Sequence, residues 1–247
     1  MIDGIILSFQ LFSRISLKKQ VEFSQKNIKS ALYFLPIVGL FMGAATGFLV
    51  NAVSLKDSFL SGVLGLVCYL YISGSFHMDG LSDLADGLGA NADKEKTLEI
   101  MKDSNVGTFG VLTLICYAIL KAAIYSSLGT QIIGKIALTS MLSRAITLPL
   151  IQLGKMARPG GFGDTMKSSL GNKIFPKIFY FLILISATIF SKDLKILILA
   201  AVNILVTYHL YNVCEKKLGG LTGDIYGASI EINEIATLLA IWGLKWI

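Results

Sequence analysis

The chain has 247 residues, of which 54% are hydrophobic and only 15% charged, with a formal net charge of +6. Soluble domains carry roughly 25% charged residues, so this composition argues against a soluble fold and for a surface that lies mostly in lipid. The positive excess is not gathered into an aromatic-interleaved basic patch, which excludes nucleic acid as the expected partner.

In chain order, residues 1–16, MIDGIILSFQLFSRIS, carry Asp3 where a signal peptide would be basic, and no small-residue cleavage site follows. They read as a retained amphipathic segment at the membrane surface. Apolar runs of about 20 residues, enough to cross a hydrocarbon core of roughly 30 Å, then occupy 31–50, 59–75, 107–127, 132–153, 174–190, 196–213 and 230–247. The second and fifth are short, so the count is about seven, with six as the alternative. The expected fold is all-α: a polytopic integral membrane protein with its N-terminal amphipathic segment, in a single domain spanning residues 1–247. Gly39, Gly43 and Gly47, at fourfold spacing in the first run, predict close helix packing through small residues. Cys68, Cys116 and Cys214 are odd in number and far apart, and support neither a disulfide framework nor a zinc site.

Lys and Arg in short loops stay on the cytoplasmic side. With seven spans, 14 basic residues share a side with the N-terminus and the loops at 76–106, 154–173 and 214–229, against 4 opposite, Lys56, Lys192, Lys195 and Lys245. The longer polar loops are therefore expected on the cytoplasmic face of the inner membrane, where any site must be, because the opposite connections are too small to hold one.

One of those loops opens with FHMDGLSDLADGLGA, residues 76–90. As a helix it aligns Asp79, Asp83 and Asp86 on one narrow face. Three like charges there repel, and a hard divalent cation bound by carboxylate oxygens and substrate phosphates relieves them. Mg²⁺ fits this ligand set better than zinc, and His77 alone argues weakly for a softer metal. A solvated loop after a span is the plainer alternative. Against it, EIMKDSNVGTFG supplies a second acidic helix end, with Glu99 and Asp103 one turn apart and Lys102 beside them, so that a two-metal pocket is conceivable. On the same face GKMARPGGFGDTMKSSLG brings Lys155, Arg158, Asp164 and Lys167, and KKLGGLTGDIYGASIEINE brings Thr222, Asp224, Glu231 and Glu234. Arg and Lys beside an acidic metal site suit the phosphates of a nucleotide-like substrate. Arg144, inside the fourth run, is costly in lipid and needs a carboxylate partner or a polar cavity; Glu231 and Glu234 are candidates for that partner.

FHMDGLSDLADGLGA, LEIMKDSNVGTFGV, ARPGGFG and GGLTGD together resemble the cobalamin synthase family, and the resemblance runs from the N-terminal segment to the end of the chain. It implies a membrane enzyme requiring Mg²⁺ that joins adenosylcobinamide-GDP to α-ribazole or α-ribazole 5′-phosphate, giving adenosylcobalamin or its 5′-phosphate and GMP. Under that resemblance Asp79, Asp83 and Asp86 hold Mg²⁺ against the pyrophosphate, and Asp103 completes the metal site or acts as general base. Lys102, Arg158 and Lys167 neutralise phosphate oxygens, while His77, Thr222 and Asp224 face substrate. Gly160 stands after Pro159 where an acidic residue is expected. Rival readings fit less well. A CDP-alcohol phosphotransferase needs Ala-Arg after the first Asp-Gly, where this chain has Leu81 and Ser82. EIMKD does not match a prenyltransferase's second motif, and a transporter would show matching interrupted halves.

Overall fold

The computed structural model describes residues 2–15, 17–129, 131–171 and 174–244. Among them are eleven helices and no strand: α1 Ile2–Phe12, α2 Gln25–Ser54, α3 Ser58–Ser73, α4 Phe76–Gly89, α5 Lys94–Ile100, α6 Thr108–Ser127, α7 Ile132–Leu153, α8 Phe162–Leu170, α9 Phe175–Ser191, α10 Lys195–Leu218 and α11 Gly223–Gly243. Four of these, α2, α6, α7 and α10, are long and apolar enough to cross a membrane. They coincide with the first, third, fourth and sixth expected runs. The short second and fifth runs are the longer arms of two bent pairs, α3 with α4 at 98° and α8 with α9 at 83°, and the number of spans rises to six if each pair counts as one. Lys173 and Lys245 of the charge count, and residues 245–247 of the seventh run, lie outside the described residues.

The seventh run is α11, and it differs from the others in kind. It begins before the apolar density does, capped by Thr222, whose Oγ1 accepts the Ile225 N–H at 3.4 Å. Glu231, Asn233 and Glu234 are buried within it. Such residues are tolerated at membrane depth only where protein encloses them, and α11 is packed against α4, α6, α7 and α10. The lipid-facing surface is made instead by side chains such as Phe48, Phe59, Phe190 and Leu205, each more than half exposed.

The glycine stripe works as its spacing predicts. A Cβ at Gly43 would lie 2.6 Å from the Ile136 carbonyl oxygen, and one at Gly47 would lie 2.7 Å from Ile133 Cα, so α2 and α7 touch backbone to backbone. The N-terminal helix α1 spans 11 residues, about 16 Å at 1.5 Å per residue, too short to cross. Its buried side, Leu7, Ser8 and Phe12, packs on α2, and the chain after it is tied down by the Arg14 N–H donating to the Ile72 carbonyl at 2.7 Å.

After α3 the chain turns at Gly74 and Ser75, both in the left-handed region with φ of 69° and 60°. This turn swings α4, which carries the aspartates, across the bundle and onto the first turns of α11.

Candidate functional site

A cavity of about 420 Å³ opens where α4, the 154–161 loop and the start of α11 converge, with α1, α2 and α7 as its apolar walls. Its polar lining includes His77 and Asp79 from α4, Thr147 from α7, Arg158 from the loop, Thr222 at the cap of α11, and Asp224 and Tyr226 from α11.

Two local features build it. The loop is clamped to the entry of α11 by a parallel bridge between Met156 and Leu221, with Leu221 N–H donating to Lys155 O at 2.7 Å and Ala157 N–H to Leu221 O at 2.9 Å. This pins Arg158 opposite Asp224. Next, α4 reaches α11 because Gly80 has no side chain: a Cβ there would stand 2.9 Å from Asp224 Cα. The loop also explains Gly160, since its φ of 81° lies in the region that only glycine enters freely, and its N–H donates to Asp164 Oδ2 at 3.1 Å.

Arg158 Nη2 donates to Asp224 Oδ2 at 3.0 Å, and Thr222 Oγ1 donates to the same oxygen at 3.2 Å. The second guanidinium nitrogen, Nη1, is buried without a hydrogen-bond partner. An unpaired charged donor at a cavity is costly and is satisfied when an anion arrives. On the α4 side Asp79 is exposed and Asp83 is partly buried one turn on. Asp83 feels the negative charges of Asp79, Asp224 and Asp86, with Arg158 the opposing cation.

The remaining expected residues lie elsewhere. Asp86 is buried on the side of α4 that meets α6, and its two oxygens accept the N–H groups of Gly107 at 2.7 Å and Gly110 at 2.8 Å. It caps α6 from outside the helix, since the N-cap residue, Gly107, has no side chain. Asp103 is exposed between α5 and α6; its carboxylate accepts the Asn105 N–H at 2.9 Å and the Asn105 Nδ2 at 2.8 Å, and these bonds hold it below the usual carboxylate range. Neither Asp103 nor Lys102 nor Lys167 lines the cavity. Among the described residues no three His, Cys, Asp or Glu side chains are grouped as a ready-made metal site. The oxygen donors Asp79, Asp83 and Asp224 nevertheless suit Mg²⁺, which binds through one or two carboxylates and takes its other ligands from water and substrate phosphates.

The family model for cobalamin-5-phosphate synthase matches residues 4–242. The chain belongs to this family. Proteins named adenosylcobinamide-GDP ribazoletransferase are similar to it over nearly their whole length. The Treponema denticola protein is 32% identical, covering 95% of both chains. The Clostridium tetani protein is 31% identical over 100% of this chain and 98% of its own, and that of Clostridium botulinum strain Langeland is 34% identical over 96% of each. No solved structure matches.

Behind the cavity, this cobalamin-5-phosphate synthase family member holds a set of ion pairs that reading its apolar runs largely missed. Arg144 does meet a carboxylate as expected, Glu234, at 3.2 Å. Lys121, fully buried in α6, lies 3.0 Å from Glu234 and 3.6 Å from Glu231, with Tyr69 and Tyr117 hydroxyls completing the cluster. The available signal was Lys121 itself, the one charged residue of its run and well inside it, as Arg144 lies well inside the fourth run.

Proposed function

We infer that the chain is an adenosylcobinamide-GDP ribazoletransferase, a membrane phosphotransferase acting late in cobalamin biosynthesis. The observation that carries the site assignment is the Arg158–Asp224 pair, with its unpartnered Nη1, facing Asp79 across one cavity. The hydroxyl of α-ribazole, or of its 5′-phosphate, attacks the corrinoid-side phosphorus of the pyrophosphate. One P–O bond forms, the bridging P–O bond breaks, GMP leaves, and the hydroxyl proton is released.

Phosphoryl transfer of this kind rests on positioning and charge neutralisation. Arg158 Nη1 takes a pyrophosphate oxygen, while Asp224 and Thr222 hold the guanidinium in place. The cavity takes the pyrophosphate end of the donor and leaves the bulky corrinoid outside, since pockets of this size enclose drug-sized groups. Its apolar walls, among them Phe12, Leu35 and Ile151, keep bulk water from competing with the ribazole hydroxyl. Asp79 and Asp83, with Asp224 beside them, would hold Mg²⁺. Held there, it would supply charge neutralisation for the pyrophosphate and the departing phosphate.

The Arg158 loop and the entry of α11 belong to the side rich in basic residues, so the site faces the cytoplasm across the inner membrane. The experiment is GMP release by the full chain in lipid, supplied with adenosylcobinamide-GDP, α-ribazole or its 5′-phosphate, and Mg²⁺, with and without chelator. Chelator-sensitive GMP with matching cobalamin is expected. GMP formed without cobalamin, or no turnover in folded protein, would overturn the reading.

A further inference from the structure

The transfer chemistry uses His77 only as part of the wall and leaves the buried ion cluster without a task. Glu231 and Glu234 lie three residues apart on α11, 1% and 0% exposed. Lys121 of α6 serves both carboxylates and Arg144 of α7 serves Glu234. The Tyr69 hydroxyl of α3 lies 3.0 Å from Glu231 and 2.8 Å from Glu234 and accepts from Arg144 Nη2 at 3.2 Å. The Tyr117 hydroxyl of α6 donates to Glu231 and accepts from Lys121 Nζ at 2.5 Å, and Ser140 of α7 donates to Glu234 at 3.0 Å. Side chains from three helices thus grip two carboxylates of α11 whose charges are balanced by two cations.

Stability alone accounts poorly for such a cluster, because replacing a buried ion pair by well-packed apolar residues is often neutral or stabilising. One contact leads out of it. His77 Nδ1 faces Glu231 Oε1 at 3.5 Å, longer than a hydrogen bond, and is buried without a hydrogen-bond partner, while His77 also lines the cavity that holds Arg158 and Asp79. Gly227 lets α11 lie close against His77, a Cβ there standing 3.3 Å from His77 Cα. Glu231 is therefore the member of the cluster that reaches the reaction site, and it does so through one ring.

We propose that Glu231 is a positioning residue for the transfer: it takes the Nδ1–H of His77, fixes the tautomer and plane of the imidazole, and leaves Nε2 as an acceptor for the attacking substrate hydroxyl. A carboxylate on one ring nitrogen decides which nitrogen offers a lone pair. The grip of Lys121, Tyr117 and Tyr69 keeps the carboxylate from following the ring, so His77 conforms to Glu231 and not the reverse. Holding a nucleophile in line needs this rigidity, since a misplacement of about 1 Å costs on the order of a hundred-fold in rate. The inference rests on the ribazoletransferase reading.

The test measures GMP release and thermal unfolding of the full chain in lipid for four proteins beside the wild type: His77→Ala, Glu231→Gln, the two together, and Lys121→Met with Glu231→Gln. The last removes one charge of each sign, so its folding survives even if Glu231→Gln alone unfolds. Expected are a roughly ten- to hundred-fold fall in kcat for His77→Ala and for Glu231→Gln, with KM for adenosylcobinamide-GDP unchanged, and no further fall when the two are combined. The charge-balanced pair should regain the wild-type melting temperature but not the wild-type kcat. Full activity in His77→Ala, additive losses in the combined variant, or recovery of both stability and kcat in the charge-balanced pair would each overturn the proposal and leave the cluster purely structural. A wild type that folds yet releases no GMP would instead refute the underlying reaction.

Discussion

Asp86 separates two accounts of the acidic helix. By spacing it belongs with Asp79 and Asp83 as a metal ligand, yet in the structure both of its oxygens are spent on the first N–H groups of α6. In Asp86→Asn the amide oxygen keeps one of those bonds and the amide NH₂ is turned towards the other N–H. One charge-assisted bond, worth about 1.5–3 kcal/mol, is lost, and loss of a helix N-cap costs about 0.5–2 kcal/mol. Neither glycine could carry a capping side chain of its own, because a Cβ at Gly107 would stand 2.7 Å from Asp86 Cγ and one at Gly110 would stand 2.5 Å from Ser82 Oγ. A destabilisation of about 2 kcal/mol corresponds to a fall in melting temperature of about 4–8 °C for a chain of this length.

The assay pairs thermal unfolding in lipid with Mg²⁺ titration of GMP release. Asp86→Asn should melt lower and keep the wild-type Mg²⁺ half-saturation. Asp83→Asn, one turn beyond the cavity-lining Asp79 and not itself in the lining, should melt close to wild type and require at least about ten-fold more Mg²⁺, the loss of one of the one or two carboxylates that hold such an ion. An Asp86→Asn protein of unchanged stability with a sharply raised Mg²⁺ requirement would refute the cap reading and return Asp86 to the metal.

Arg158→Ala should raise KM for adenosylcobinamide-GDP about ten- to a hundred-fold, the equivalent of about 1.5–3 kcal/mol for a charged hydrogen bond, while Arg158→Lys should recover only part because an ammonium cannot hold Asp224 and a phosphate in one plane; an unchanged KM removes Arg158 from the site. Gly80→Ala, which drives a methyl against the Asp224 backbone, should cost about 1–3 kcal/mol and lower kcat/KM together with stability, and normal unfolding with normal turnover would show that α4 and α11 are free to part. Arg144→Met strips Glu234 of a partner and should cost about 3–5 kcal/mol, read as a lowered melting temperature that Glu234→Gln in the same chain largely restores. Metal binding to the free protein, followed by Mn²⁺ resonance, should be weak and should tighten when the GDP-corrinoid is added, because the cavity's carboxylates supply only part of an octahedral shell; tight binding without substrate would contradict this.

What could be read from the sequence follows from where each side chain's partners come from. The runs that became α2, α6, α7 and α10 were legible because lipid is their main solvent, so hydropathy alone describes their environment. The Gly39, Gly43 and Gly47 stripe was legible for the same reason: close approach between spans needs small residues at helical spacing wherever the partner helix lies. Asp86 was not, because spacing places it on the face of Asp79 while packing divides that face, α11 taking the Gly80 end and α6 the Asp86 end. Nothing local to residues 76–90 records that division. The start of α11 was misjudged for a related reason: residues 223–229 look like a loop to a hydropathy reading, but the helix is solvated by protein, so Asp224, Glu231 and Glu234 cost little there. Lys121 and Arg144 show how the two cases connect. A cation deep in an apolar run needs a carboxylate or a backbone carbonyl at its own depth, and for those at 121 and 144 the partners are carboxylates of α11. Among the described residues α11 brings those carboxylates, and the same helix carries Asp224, in the site, in its first turn. The element that neutralises the membrane interior is therefore also the element that positions the chemistry, and a change at Glu234, far behind the cavity, has a physical route to Asp224 along one rigid helix.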